Sequence, residues 1–111
     1  MGSPIRIVVV DDHPLFRGGV VRTLQESGDF DVVGEGESAE TALILADQFL
    51  PDVMCLDISM PGNGIAAAAE IGRRFPAVRI VMLTVPETDE DVFGVGQVVA
   101  EYRSKVIEQL L

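Results

Sequence analysis

Asp11, Asp12, Asp57 and Thr84 each follow directly on a short apolar run. If those runs are neighbouring strands, three carboxylates and a hydroxyl meet on one rim. Carboxylates so close raise one another's pKa. A divalent cation removes the conflict. Magnesium suits such a site, because it prefers oxygen ligands, uses few carboxylates and keeps waters for a phosphorylated group. A carboxylate can also act as a nucleophile and form an aspartyl phosphate. A cation beside it offsets charge on the transferring phosphoryl group. The Thr84 hydroxyl could then bind a phosphoryl oxygen. Taken singly, an Asp after a strand is more often a turn or cap residue. Thr84 alone could simply end a strand, and His13 alone reads as a loop or capping residue before a metal ligand.

The elements that would position these groups alternate between apolar runs and amphipathic stretches. Ile5 to Val10 is almost wholly apolar and β-branched, which suits a strand buried on both faces. A helix is expected from Pro14, with apolar positions Leu15, Phe16, Val20 and Leu24, closed by Gly28. Residues 31–35 read as a second, shorter strand. Ser38 is a good N-cap for a helix carrying Ala42, Leu43, Leu45, Ala46 and Phe49. Residues 52–56 form a third strand ending at Asp57, and Pro61, Gly62 and Gly64 mark a loop. The next helix holds Ile65, Ala66, Ala69, Ile71 and Phe75 and stops before Pro76. Residues 78–83 form a fourth strand. Glu87, Asp89, Glu90 and Asp91 suit the start of another helix. This alternation implies βαβ units and a doubly wound α/β domain with a parallel sheet. In such sheets ligands bind beyond the carboxyl ends of the strands, where the acids stand.

The 111 residues read as one domain, with residues 1–4 a loose N-terminus. A net charge of −10 argues against direct nucleic-acid binding, which needs a basic footprint. No run is long enough to span a membrane and no signal peptide is evident. The one cysteine, Cys55, lies in an apolar run and reads as a packing residue. These features suit the cytoplasm.

The segment Asp11-Asp12-His13-Pro14-Leu15-Phe16-Arg17 resembles the opening of response regulator receiver domains (CheY-like), in the NarL/FixJ branch that carries a downstream DNA-binding domain. Leu56-Asp57-Ile58-Ser59-Met60-Pro61-Gly62 is similar to the phosphoacceptor segment of that family, and residues 78–84 to its switch strand. The resemblance implies a flavodoxin-like sheet of strand order 2-1-3-4. It implies phosphorylation of Asp57 by a histidine kinase, assisted by Mg2+. Asp12 would bind the ion directly, Asp11 through water, and Ser59 by its backbone carbonyl. Thr84 would be the switch hydroxyl. His13 and Pro14 fit the branch without an evident chemical role.

The resemblance weakens after about residue 93. Residues 101–105 can be aligned with a fifth strand, making Tyr102 the switch aromatic and Lys105 the site lysine. Arg103 and Ser104 would then lie where a buried strand should be apolar. The segment reads better as a helical tail over residues 94–111, with Val98, Val99, Tyr102, Val106, Ile107, Leu110 and Leu111 on one face. Without a fifth strand the fourth-strand edge stays open, which invites a homodimer through that edge or the C-terminal region. The leading expectation is a signalling receiver, read as a fragment, a stand-alone receiver or a truncated product because no effector domain is found in this sequence. The alternative is a degenerate receiver that works as a phosphorylation-independent interaction module. A magnesium-dependent aspartyl-phosphate phosphatase fits less well, since such enzymes place an acid where Ser59 stands, so no enzyme activity is expected.

Overall fold

β1 (Ile5–Val10) is a six-residue strand whose last four side chains are fully buried, because helices cover both of its faces. A computed structural model describes residues 3–83 of the chain. The elements follow as α1 (Pro14–Ser27), β2 (Phe30–Gly36), α2 (Ala39–Phe49), β3 (Val53–Asp57), α3 (Gly64–Arg74) and β4 (Arg79–Leu83). All the strand pairs are parallel and the order is β2-β1-β3-β4. The doubly wound sheet expected from the sequence is therefore present, in the order 2-1-3-4. Thr84, Tyr102, Lys105, the helix expected after residue 86, the fifth strand and the tail lie outside the described residues.

Alternation along the strands divides the core into two layers. Ile7, Val9, Val53 and Cys55 pack against Phe16, Val20, Val21 and Leu24 of α1. Val8, Val10, Met54 and Leu56 pack against Ala42, Leu45 and Ala46 of α2 and Ala67 and Ile71 of α3. Cys55 is a buried packing residue, as its apolar neighbours suggest, and burial pushes its thiol up to about 12. Among the described residues, no helix is long and apolar enough to cross a membrane.

Four expectations need correction. Leu15 is 87% exposed, because the buried stripe of α1 runs through Phe16, Val20 and Leu24, about a quarter-turn away. Ile65, Ala66 and Ala69 are exposed for the same reason, since α3 buries Gly64, Ala67 and Ile71. β2 is longer than expected, at seven residues. Its ladder with β1 slips between Ile7 and Val8, so Val33 is an extra residue on β2 and Gly34 and Gly36 remain in the strand. β3 begins at Val53, because Asp52 uses its carboxylate to accept from the Arg6 amide at 2.9 Å.

The helix ends follow local chemistry. Pro14 occupies the first turn of α1, and Gly28 closes it with a left-handed φ of 79°. Ser38 accepts from the Thr41 amide and caps α2. At the other end of α2, Leu50 holds a left-handed φ of 43°, a conformation that costs a side-chain-bearing residue energy. Leu50→Gly is accordingly expected to stabilise the fold by about 0.5–1 kcal/mol, read as a higher urea midpoint at unchanged slope.

Candidate phosphoacceptor site

The order β2-β1-β3-β4 reverses direction of growth between β1 and β3, which leaves a crevice beyond their carboxyl ends. Val10 pairs with Leu56, so the residues that follow each strand enter this crevice together. Asp11 and Asp57 are 0% and 1% exposed, and Asp12 is partly exposed at the rim. One ligand atom from each of Asp11, Asp12, His13 and Asp57 falls within 4.8 Å of all the others.

Each carboxylate is held differently. Asp11 Oδ1 accepts from the His13 amide at 2.8 Å, while its Oδ2 is buried with no hydrogen-bond partner. Asp12 Oδ1 is also buried without a hydrogen bond, although His13 Nδ1 stands 3.0 Å away out of bonding geometry. Asp57 Oδ1 accepts from the Ser59 amide at 3.1 Å and faces the Ser59 hydroxyl at 3.1 Å. Its Oδ2 has the longer contacts, 3.3 Å to the Ser59 hydroxyl and 3.7 Å to His13 Nδ1.

His13 has a larger part than the sequence suggested. It takes the N-cap position of α1 by its backbone, but its side chain caps nothing. The imidazole instead turns to the acids, with Nδ1 3.0 Å from Asp11 Oδ1. The hydrogen bond to Asp11 and the charges of Asp12, Asp11 and Asp57 raise its pKa against partial burial. Burial raises the Asp11 pKa, helped by the Asp57 charge and opposed by the hydrogen bonds from His13.

These shifts have a consequence for stability. A folded-state pKa raised above the unfolded value contributes stability at low pH that is lost as pH rises through the folded value. Asp11 starts this loss above its ordinary 3.8 and His13 above its ordinary 6.5. Metal-free protein is therefore expected to melt at lower temperature as the pH is raised from about 6.5. His13→Ala should flatten the profile in that upper window, as thermal melts in chelator would register.

The loop after Asp57 is packed as tightly as the acids. The Ile58 amide donates to the Leu83 carbonyl at 3.2 Å, tying the loop to the end of β4. Met60 is buried, and the Ala39 amide donates to the Pro61 carbonyl at 3.0 Å. Gly62 and Asn63 both have positive φ, and Asn63 accepts from the Ile65 and Ala66 amides to start α3. Gly64, read from sequence as a loop residue, is the buried first residue of α3. A Cβ there would fall 2.1 Å from the Asp57 carbonyl oxygen.

Of the residues expected in the site, Asp11, Asp12 and Asp57 converge, and Ser59 orients Asp57. Thr84, Tyr102 and Lys105 lie outside the described residues. His13 and Gly64 are the additions made by the structure. The only signal for His13 in the sequence is its place in the strand-to-helix turn, two residues after Asp11.

The model of the response regulator receiver domain matches residues 7–103. The chain belongs to this family. The receiver is 40% identical over 91 residues to the transcriptional regulatory protein DegU of Brevibacillus brevis, covering 81% of the chain and 39% of DegU. It is 37% identical over 91 residues to the nitrate/nitrite response regulator protein NarL of Escherichia coli, covering 81% of the chain and 42% of NarL. The receiver thus spans about two-fifths of the length of these relatives, which are response and transcriptional regulators. The signal receiver domain of the putative response regulator NarL from Mycobacterium tuberculosis superposes with a TM-score of 0.79, at 35% identity and 96% coverage of both chains. RcsB from Salmonella enterica serovar Typhimurium, bound to a promoter in the presence of the phosphomimetic BeF3-, matches with a TM-score of 0.70 at 29% identity, covering 78% of this chain and 45% of RcsB.

Proposed function

We propose that this receiver accepts a phosphoryl group from a histidine kinase on Asp57, with Mg2+ held by the neighbouring acids. The observation that carries the reading is the pair of buried carboxylate oxygens that accept no hydrogen bond, Asp11 Oδ2 and Asp12 Oδ1, beside the buried Asp57 carboxylate. Buried polar atoms without partners are costly, and a cation satisfies both at once. The all-oxygen donor set fits magnesium. Asp11, Asp12, Asp57 and the Ser59 carbonyl would hold it, and when bound it offsets negative charge on the transferring phosphoryl group.

The protein's own groups do the rest. The Ser59 amide fixes Asp57 Oδ1, which leaves Oδ2 as the freer oxygen to attack phosphorus. The new O–P bond forms as the N–P bond of the donor phosphohistidine breaks, and the imidazole leaves with the electron pair. His13 Nδ1 lies beside the same carboxylate oxygens that would hold the cation, so the imidazole would have to give way to it.

Thr84 would bind the incoming phosphoryl oxygen, and β4, which ends one residue before it in sequence, is joined to the acceptor loop through Ile58 and Leu83. Tyr102 and Lys105 are candidate switch residues of the same response. The output would be a change in association with a second copy, since the similar protein RcsB is described as dimers bound to DNA. Any DNA contact would be made outside this acidic chain, whose net charge is −10. Covalent uptake of a phosphoryl group by wild type, and none by Asp57→Asn, tests the proposal.

A further inference from the structure

Arg17 lies on the first turn of α1 and is not one of the clustered acids, yet its guanidinium reaches the end of β1. Its Nη1 donates to the Asp11 backbone carbonyl at 2.7 Å and stands 3.5 Å from the Gly36 carbonyl at the end of β2. Its Nε donates to Glu35 Oε1 at 3.3 Å. The Asp11 amide donates in turn to the Gly36 carbonyl at 3.0 Å, so the peptides on both sides of Asp11 are held, one by Gly36 and the other by Arg17. A hydrogen bond from a charged donor at this length is among the stronger kinds.

We infer that Arg17 is a positioning residue for the cation site. The Asp11 carbonyl belongs to the peptide that joins Asp11 to Asp12. Fixing that plane fixes where Asp12 leaves the end of β1, and so the direction of its carboxylate. Glu35 keeps the planar guanidinium in register, as a bidentate-capable cation requires. Groups that orient metal ligands commonly change metal affinity by tens of fold when removed.

The inference rests on reading the acidic cluster as a magnesium site, and its sign separates it from simpler roles. Arg17 brings positive charge near a cation. If charge were its only influence, removing it would tighten magnesium binding. If Arg17 merely pinned α1 to the sheet, removal would lower the melting temperature and leave magnesium affinity alone. A positioning role requires weaker binding.

The experiment titrates the full chain with magnesium alone by calorimetry, alongside thermal melts and acetyl phosphate labelling at saturating magnesium. Arg17→Met is expected to weaken magnesium about tenfold while labelling at saturation stays within about twofold. Arg17→Lys keeps one bond to the Asp11 carbonyl but not the Glu35 contact, and is expected to weaken magnesium only about threefold. Unchanged or tighter binding in the folded variants overturns the positioning role and leaves the magnesium site intact. If Arg17→Met does not fold, wild-type affinity in Arg17→Lys overturns it alone. A wild-type chain that binds no magnesium overturns the underlying site as well.

Discussion

Gly64→Ala is expected to abolish phosphoryl acceptance and to cost about 3 kcal/mol or more of stability. The added Cβ would sit 2.1 Å from the Asp57 carbonyl oxygen and 3.0 Å from the Asp57 carbonyl carbon and the Ile58 oxygen. All three are backbone atoms of the acceptor loop, so no flexible side chain can give way. Either α3 lifts from the sheet or β3 is displaced at its end. The first exposes Ala67 and Ile71, and the second moves Asp57 away from Asp11 and Asp12. Geometry at a reacting centre is sensitive to displacements of about an ångström. Gly72, whose Cβ would meet nothing within 4 Å, is the control, and Gly72→Ala should label as wild type does. Urea denaturation and acetyl phosphate labelling of both variants check the expectation.

Asp11→Asn is expected to separate stability from function. Asp11 is fully buried, one of its oxygens has no partner, and burial raises its pKa. A raised carboxyl pKa means that ionisation opposes folding at neutral pH. The amide removes that charge, keeps an oxygen for the His13 amide and adds donors toward the neighbouring acids. The metal-free variant should gain about 1–3 kcal/mol, the usual scale for an unsatisfied buried group. Magnesium affinity should fall by about ten- to a hundredfold. Parallel urea titrations in chelator and magnesium titrations reveal both effects, and a destabilised Asp11→Asn would contradict the picture of a strained, metal-seeking carboxylate. Stability lost to function in this way is common at sites that hold buried charge.

The fold and the acidic rim were largely legible in the sequence for a simple reason. The strands are short, apolar and buried on both faces, so their ends stand out, and the acids sit directly on those ends. Once Ile5–Val10 and Val53–Asp57 are neighbours, Asp11, Asp12 and Asp57 must meet. What could not be read depends on finer geometry. Glycine in a strand carries little signal, so the length of β2 and its bulge near Val33 were hidden. A residue one place out of phase in a helix looks periodic, which is why Leu15 and Ile65 resembled core positions. His13 looked like a capping residue because that is its backbone role, whereas its side chain direction follows from the turn between β1 and α1. Gly64 gives no hint in sequence that a carbonyl lies where its Cβ would be.

Asp11, Asp12, His13 and Asp57 are mutually dependent. His13 offers the acids a positive neighbour when protonated, and magnesium offers a stronger one. The raised His13 pKa reflects the excess of negative charge around it, and Asp11 Oδ2 and Asp12 Oδ1 still accept no hydrogen bond. A phosphoryl group adds more negative charge, so the reaction requires that excess to be neutralised beforehand.

Intact mass after incubation with acetyl phosphate and magnesium puts the acceptor chemistry at risk in one step. The account predicts that wild type gains one phosphoryl group, that Asp57→Asn gains none, and that a chelator prevents the gain in wild type. A folded wild-type chain that gains nothing, or an Asp57→Asn chain that labels as wild type does, would contradict it, and the first result would leave a receiver-shaped interaction module as the better description.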